Sequence, residues 1–213
     1  MGAWTEADVM TMYASRTGTR RNLAALRGAG WRLLVSAAGV WRHEGFPYCL
    51  DNGAWSAHTQ GIAWDPERFR ACVALLGAGA DWIALPDIVG GGLRSLALSL
   101  RWVPELAPVA PLLLPVQDGM RPADVRGMLG PGLGIFLGGS TEWKLATMPD
   151  WGRLALETGC HYHVARVNTA RRIRAAQLAG AHSVDGSSAT RFACTLPLLD
   201  RARRQLTLPL GVL

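Results

Sequence analysis

Residues 161–192, HYHVARVNTARRIRAAQLAGAHSVDGSSATRF, decide the fold that the sequence predicts. Residues 161–167 alternate as a strand does, Asn168 and Thr169 can cap a helix, and residues 170–178 repeat apolar positions at helical spacing. A second short strand, 182–184, leads to Asp185 and a turn of small residues. A carboxylate at the C-terminal end of a short buried strand is typical of the catalytic groups of an α/β barrel.

The same unit of strand and helix recurs along the chain. Eight strands are predicted, at residues 9–14, 31–36, 48–50, 82–85, 112–116, 134–137, 161–167 and 182–184. Helices are predicted at residues 20–27, 66–76, 93–106, 122–129, 141–158, 170–178 and 196–206. This alternation favours one compact (β/α)8 TIM barrel over residues 1–213, because such barrels need about 200 residues at the small end. A doubly wound open sheet is the alternative, but its G-x-G-x-x-G signature after the first strand is missing.

Charge and composition limit the possible partners. The chain carries 22 Lys and Arg against 16 Asp and Glu, a net charge of +6, and Lys144 is its only lysine. Because arginine presents a planar fork that suits phosphate, this balance indicates an anionic partner such as nucleic acid. A solvated basic surface without a partner is the alternative interpretation.

The chain shows no sign of secretion or membrane insertion. Its four cysteines, Cys49, Cys72, Cys160 and Cys194, are widely spaced, which favours reduced thiols over a disulfide framework or a zinc knuckle. The sequence starts without a signal peptide pattern, and no apolar run reaches membrane-spanning length. We therefore expect a cytoplasmic protein that makes no membrane contact.

Polar residues and glycines follow the predicted strands. If the barrel closes, the strand ends converge on one face, and one pocket collects the residues found there. A carboxylate in such a pocket can attack carbon, move protons or accept hydrogen bonds from a planar base, while glycines let backbone amides approach a ring. The residues at these strand ends are Asp51, Asp87, Gln117, Gly138, Gly139 and Asp185.

Five short motifs in the same order resemble the tRNA-guanine transglycosylases and their compact relatives that insert 7-deazaguanine bases into DNA. They are Leu50-Asp51-Asn52-Gly53-Ala54-Trp55, Leu85-Pro86-Asp87, Pro115-Val116-Gln117-Asp118-Gly119, Phe136-Leu137-Gly138-Gly139, and Ser183-Val184-Asp185 with Thr190-Arg191. The resemblance covers nearly the whole predicted barrel. It implies a pentosyltransferase that exchanges guanine in a nucleic acid for a 7-deazaguanine base.

The resemblance also implies a role for each residue. Asp185 would be the nucleophile that forms a covalent glycosyl intermediate, and Asp51 the general acid or base. The base would be recognised by Asp87, Gln117, Gly138 and Gly139, with Trp55 stacking on it. The nucleic-acid backbone would meet basic residues near the pocket, of which Lys144, Arg171, Arg172 and Arg191 are the main candidates and Arg16, Arg20 and Arg21 further ones.

The chain departs from the family at one point that bears on its substrate. The tRNA enzymes carry a zinc site of clustered cysteines and a histidine near the C-terminus, whereas Cys194 stands alone here. We therefore expect no zinc subdomain, no metal and no cofactor, and we favour DNA over tRNA as the substrate. His161 and His163 share one side of a predicted strand, so they are either a metal pair or packed histidines of the core or rim.

Two other functions remain open from the sequence. The same acids could cleave an N-glycosidic bond with water as the acceptor, or the barrel could bind nucleic acid or an assembly partner without catalysis. Acids at both proposed catalytic positions, Asp51 and Asp185, favour an enzyme.

Overall fold

The computed structural model describes residues 9–15 and 19–205, and these form a closed parallel barrel. Eight strands pair in chain order, and β8 pairs with β1 to close the ring, with Tyr13 opposite Asp185. The predicted (β/α)8 barrel is therefore confirmed. The strands are β1 Thr11–Ser15, β2 Arg32–Ser36, β3 Tyr48–Asp51, β4 Ile83–Ala84, β5 Leu112–Val116, β6 Leu133–Leu137, β7 Tyr162–Val164 and β8 Ser183–Gly186.

Helices surround the barrel, and the long ones begin and end where local signals place them. Asp65, Ser140 and Thr169 each accept a backbone N–H at the first turn of a helix, as N-cap residues do. Over the described residues the helices are α1 Arg20–Gly28, α2 Ala54–Gln60, α3 Pro66–Leu76, α4 Leu93–Leu106, α5 Pro122–Val125, α6 Thr141–Thr158, α7 Ala170–Leu178, α8 Ser188–Arg191 and α9 Leu196–Arg204.

The structure corrects several sequence-based boundaries. The connection from β2 to β3 is a loop without a helix, as predicted, but helix α2, which was not predicted, follows β3. The predicted helix 122–129 is a short α-helix followed by a 3₁₀ turn at Arg126–Met128. The strand predicted at 161–167 is only Tyr162–Val164, and helix α8, which was not predicted, begins at Ser188, where the predicted turn ends. Residue 206, the predicted end of the last helix, lies outside the described residues.

The apolar side chains form two layers, one on each side of the barrel wall. The larger cluster packs between strands and helices and includes Leu50, Ile83 and Leu114. The smaller cluster fills the barrel interior with Tyr13, Leu34, Cys49, Trp82, Ala84 and Leu113, against which Phe136 packs. Because successive strand residues alternate between these layers, the last inward position of each strand faces the open top of the barrel.

The four cysteines are free thiols, of which Cys49, Cys72 and Cys160 are buried and Cys194 is exposed. Within residues 9–15 and 19–205, no helix has the length and apolar character needed to cross a lipid bilayer.

Candidate active site

A cavity of about 830 Å³ opens at the C-terminal ends of the barrel strands. This is the face on which (β/α)8 enzymes carry their catalytic groups. Eight of the residues predicted from the sequence line it together, although they are spread over 141 positions from residue 51 to residue 191. They are Asp51, Trp55, Asp87, Gln117, Gly138, Gly139, Asp185 and Arg191.

Asp185 lines the cavity, and its two carboxylate oxygens differ in their hydrogen bonds. Its Oδ1 accepts hydrogen bonds from the backbone N–H of Arg166 at 3.1 Å and from the ring of His163, whose Nε2 lies 3.0 Å away. None of the described residues donates to Oδ2. The side chain is buried, with 7% of the residue exposed, yet it lines the cavity. An oriented, unshielded carboxylate oxygen is the arrangement that a nucleophile requires.

Asp51 is a half-buried acid at the end of β3. Its Oδ2 accepts the backbone N–H of Gly53 at 3.1 Å. Burial raises the pKa of the Asp51 carboxyl to about 6, and the charges of Asp185 and Asp87 add to the rise. A group with a pKa near neutrality both donates and accepts protons efficiently, so Asp51 suits general acid and base chemistry.

The turn after Asp51 requires a glycine. Gly53 has a φ of +81°, and a Cβ at this position would lie 2.8 Å from the backbone nitrogen of Ala38. A side chain would therefore push the β3 loop away from the β2 loop and displace Asp51.

Asp87 is held by amides from two neighbouring strand ends. Its Oδ1 accepts the Nδ2 of Asn52 at 2.9 Å, and its Oδ2 lies 3.5 Å from the Nε2 of Gln117. Burial raises the pKa of Asp87, while the Asn52 hydrogen bond and the Arg166 charge oppose the rise. Asn52 was not singled out from the sequence as a site residue, although it follows Asp51 directly.

The side-chain amide of Gln117 forms hydrogen bonds with the segment that follows β4. Its Oε1 accepts the N–H of Gly90 at 2.6 Å, and its Nε2 donates to the carbonyl of Ile88 at 2.9 Å and to Ser95 Oγ at 2.7 Å. Gln117 therefore positions the loop that carries Asp87. A direct contact between Gln117 and a bound base remains a prediction, because it needs one of these bonds to be exchanged.

The double glycine after β6 forms a tight corner beside Asp118. Gly139 has a φ of +72°, and a Cβ on it would lie 2.6 Å from Asp118 Oδ2. Asp118 accepts the backbone N–H and the hydroxyl of Ser140, each at 2.6 Å, and these bonds lower its pKa against the effect of burial. The corner leaves the peptide at Gly138 and Gly139 open to the cavity, as a planar ligand would require.

Arg166 is the main site residue that the sequence did not reveal. Its guanidinium lies over the ring of Trp55, 4.1 Å from the ring centroid, and donates to the carbonyl of Gly139. Its backbone has a φ of +57°, an unusual value for a residue with a side chain, and its N–H bonds Asp185. Strained residues of this kind cluster at functional sites. The sequence carries no signal for it, because residue 166 fell within a predicted strand.

The residues predicted to contact the nucleic-acid backbone differ in their exposure and in their distance from the cavity. Lys144 does not fit the prediction, because it is 3% exposed and its Nζ donates to the carbonyl of Ala165, so it is not at the surface. Burial lowers the pKa of Lys144 to about 8, and the nearby Arg166 charge acts in the same direction.

The predicted arginines lie at or outside the cavity. Arg191 lines it. Arg171 and Arg172, on the first turn of α7, lie outside the lining; Arg171 is exposed and Arg172 is half-buried. Arg20 and Arg21 are exposed on α1, and Arg16 lies outside the described residues.

No group of three or more potential metal ligands occurs within the described part of the chain. His161 and His163 are neighbours of Ser183 and Asp185 on the adjacent strand, so of the two interpretations the packed one agrees with the structure.

Fold and site together define a (β/α)8 barrel whose strand-end cavity is lined by four acids, Asp51, Asp87, Asp118 and Asp185. A comparison with models of known protein families and a search of curated proteins found no match.

Proposed function

We propose that this protein is a base-exchanging transglycosylase that replaces guanine in a nucleic acid with a 7-deazaguanine base. The observation that carries the proposal is the pairing of Asp185, which presents a free oxygen, with Asp51, whose pKa is about 6, in one cavity. A retaining exchange at a sugar carbon needs a nucleophile and an acid–base group of this kind. The five motifs and their resemblance to the transglycosylases add support.

In the first half of the reaction, Oδ2 of Asp185 attacks C1′ of the guanine nucleotide. A C1′–O bond forms as the C1′–N9 bond breaks, and the departing guanine takes the bonding electron pair. Asp51, protonated in part near neutral pH, gives the base its proton. The product is a glycosyl ester on Asp185, and Asp51 is left as a carboxylate.

The second half reverses these steps with a new base. The Asp51 carboxylate removes a proton from the ring nitrogen of the entering 7-deazaguanine, and that nitrogen attacks C1′. The ester bond breaks, and its electron pair returns to Asp185. The sugar keeps its original configuration because it is inverted twice.

In this proposal the base is recognised by residues on the side of the cavity opposite Asp185. Asp87 accepts hydrogen bonds from the N–H groups on the guanine edge, and Asn52 and Gln117 hold it in place. The backbone at Gly138 and Gly139 contacts the ring edge. Trp55, 46% exposed at the mouth, offers a stacking face that the Arg166 guanidinium covers in the free protein.

A polymer substrate fits the charge at the cavity mouth, and we favour DNA over tRNA. Arg191, Arg171 and Arg172 lie on or near the mouth and would meet phosphates on either side of the target nucleotide. In a duplex the target guanine has to leave the stack, at a cost of about a few kcal/mol.

The direct test is exchange of radiolabelled guanine into plasmid DNA and, in parallel, into bulk tRNA. We expect label to enter DNA in preference to tRNA. Release of guanine from either polymer without uptake of label would replace the proposal with N-glycoside hydrolysis. The absence of both uptake and release would contradict an enzymatic function and would favour a nucleic-acid-binding barrel.

Arg191 should contribute a phosphate contact. In the described part of the chain its guanidinium makes no hydrogen bond or ion pair, so it is free to bind an anion. We expect Arg191→Ala to weaken binding of a guanine-containing oligonucleotide and to reduce the slope of log K against log salt by about 1. Fluorescence anisotropy at several salt concentrations measures this slope.

Arg153→Ala is the matched control for that measurement. Arg153 is an exposed arginine of α6 that pairs with Asp150 at 3.2 Å and does not line the cavity. The contact is disproved if both variants keep the wild-type slope.

A further inference from the structure

A chain of hydrogen bonds runs from the candidate nucleophile down through the barrel interior. His163 Nε2 lies 3.0 Å from Asp185 Oδ1, and His163 Nδ1 lies 2.8 Å from Ser183 Oγ. The same hydroxyl oxygen lies 2.7 Å from Nε2 of His161. His163 and Ser183 are fully buried, so these bonds have no competition from bulk water.

The chemistry of the partners sets the direction of each bond. An ionised Asp185 can only accept, so Nε2 of His163 carries the proton and donates it. Burial lowers the pKa of His163 in spite of the nearby Asp185 charge, which favours the neutral ring with Nδ1 as an acceptor. Ser183 therefore donates its hydroxyl proton to His163.

The third bond follows from the second. Because the Ser183 proton is already committed to His163, its oxygen accepts from His161, whose Nε2 carries the proton. Burial lowers the pKa of His161 to about 3, with His163 and His182 adding to the effect, so this ring too is neutral. All three hydrogen bonds then point in one direction, from His161 through Ser183 and His163 to Asp185. The only charged group in this chain of bonds is the Asp185 carboxylate.

Aromatic rings hold His163 in this orientation. Phe136 stacks on it with centroids 5.0 Å apart and planes 20° apart, and Trp82 lies 4.7 Å away. Tyr13 approaches edge-on at 6.0 Å. The imidazole has no room to turn, and its position therefore fixes the position of the oxygen that it bonds.

We propose that His163 is a positioning residue for the nucleophile, and that Ser183 and His161 set the tautomer it needs. The donor on Oδ1, together with the Arg166 N–H, fixes the rotation of the carboxylate so that Oδ2 faces C1′ of the nucleotide. The inference rests on the proposed function and deepens it. No proton moves along the chain: when the ester forms at Oδ2, Oδ1 becomes its carbonyl oxygen and still accepts both hydrogen bonds.

The kinetic test compares two substitutions at one position. His163→Leu removes the donor at similar volume, whereas His163→Gln can place an amide N–H near the position of Nε2. We expect His163→Leu to lower kcat for guanine exchange by about 100-fold while KM for guanine stays within about a factor of 2. His163→Gln should recover most of the lost kcat. A purely structural role would instead affect the two variants alike, or would raise KM.

Imidazole ¹⁵N NMR tests the tautomers without relying on activity. We expect His163 and His161 to be neutral with the proton on Nε2. In Ser183→Ala we expect neither ring to be held in this tautomer. A proton on Nδ1 of His163, or an imidazolium in the wild type, overturns the inference. If the wild type shows no exchange, the proposed function fails while the NMR result still decides the hydrogen-bond chain; exchange that survives His163→Leu refutes the positioning role alone.

Discussion

Replacement of Asp185 by asparagine is expected to lower guanine exchange by about 10⁴-fold or more, because it removes the proposed nucleophile of both half-reactions. The amide oxygen can still accept from His163 and from the Arg166 N–H, so the barrel should keep its fold. The wild type mixed with a guanine-containing oligonucleotide should yield a covalent adduct that survives denaturation. The variant should yield none.

Asp65→Asn provides the matched control for the loss at Asp185. Asp65 is an exposed N-cap of α3, asparagine caps helices equally well, and exchange should be unchanged. The Asp185→Asn variant places an amide before Gly186, so its mass is checked for deamidation, which would restore the carboxylate. Exchange at the wild-type rate in a preparation of correct mass would remove Asp185 from the chemistry.

Asp51→Asn should have the second largest effect, a loss of about 10³-fold in exchange, because in the proposed mechanism Asp51 gives the departing base its proton and takes one from the entering base. Binding of the base should change little, since Asp87 and the glycine corner are untouched. A rate measured with a base that departs easily, and so needs no proton, should be reduced less than the rate with guanine. Equal loss with both bases would contradict the acid–base role.

The same substitution should stabilise the protein at high pH. The Asp51 pKa rises from 3.8 to about 6 on folding, so the folded state binds the extra proton between these values and stability falls as pH rises through that window. Above pH 6 the ionised, half-buried carboxylate costs about 3 kcal/mol, which asparagine avoids. Asp51→Asn should therefore raise Tm by about 6–12 °C at pH 8.

Scanning calorimetry at two pH values tests the sign of this effect. Near pH 4 the folded wild type carries a protonated Asp51, so the difference in Tm between wild type and Asp51→Asn should nearly vanish. A difference that is as large at pH 4 as at pH 8 would show that charge is not its cause.

Local signals were enough for much of the architecture. The predicted bounds of α4, α6, α7 and β5 agree with the structure, because helix caps and hydrophobic period are properties of neighbouring residues. Helix α2 was not predicted, since the segment after β3 lacks both a long apolar repeat and a capping side chain. The placement of eight predicted residues in one cavity follows from topology, because parallel strands bring all their carboxyl ends to one face.

By itself, then, the sequence determined the barrel and eight of the residues that line the cavity at its strand ends. Only the tertiary structure decided what their side chains do there. His163 meets Asp185 across 22 positions of the chain, and Arg166 covers Trp55 and reaches Gly139 from another strand end. Lys144 is buried and donates to the carbonyl of Ala165 instead of lying at the surface. Such contacts depend on rotamers and packing between distant segments, and periodicity along the chain carries no information about either.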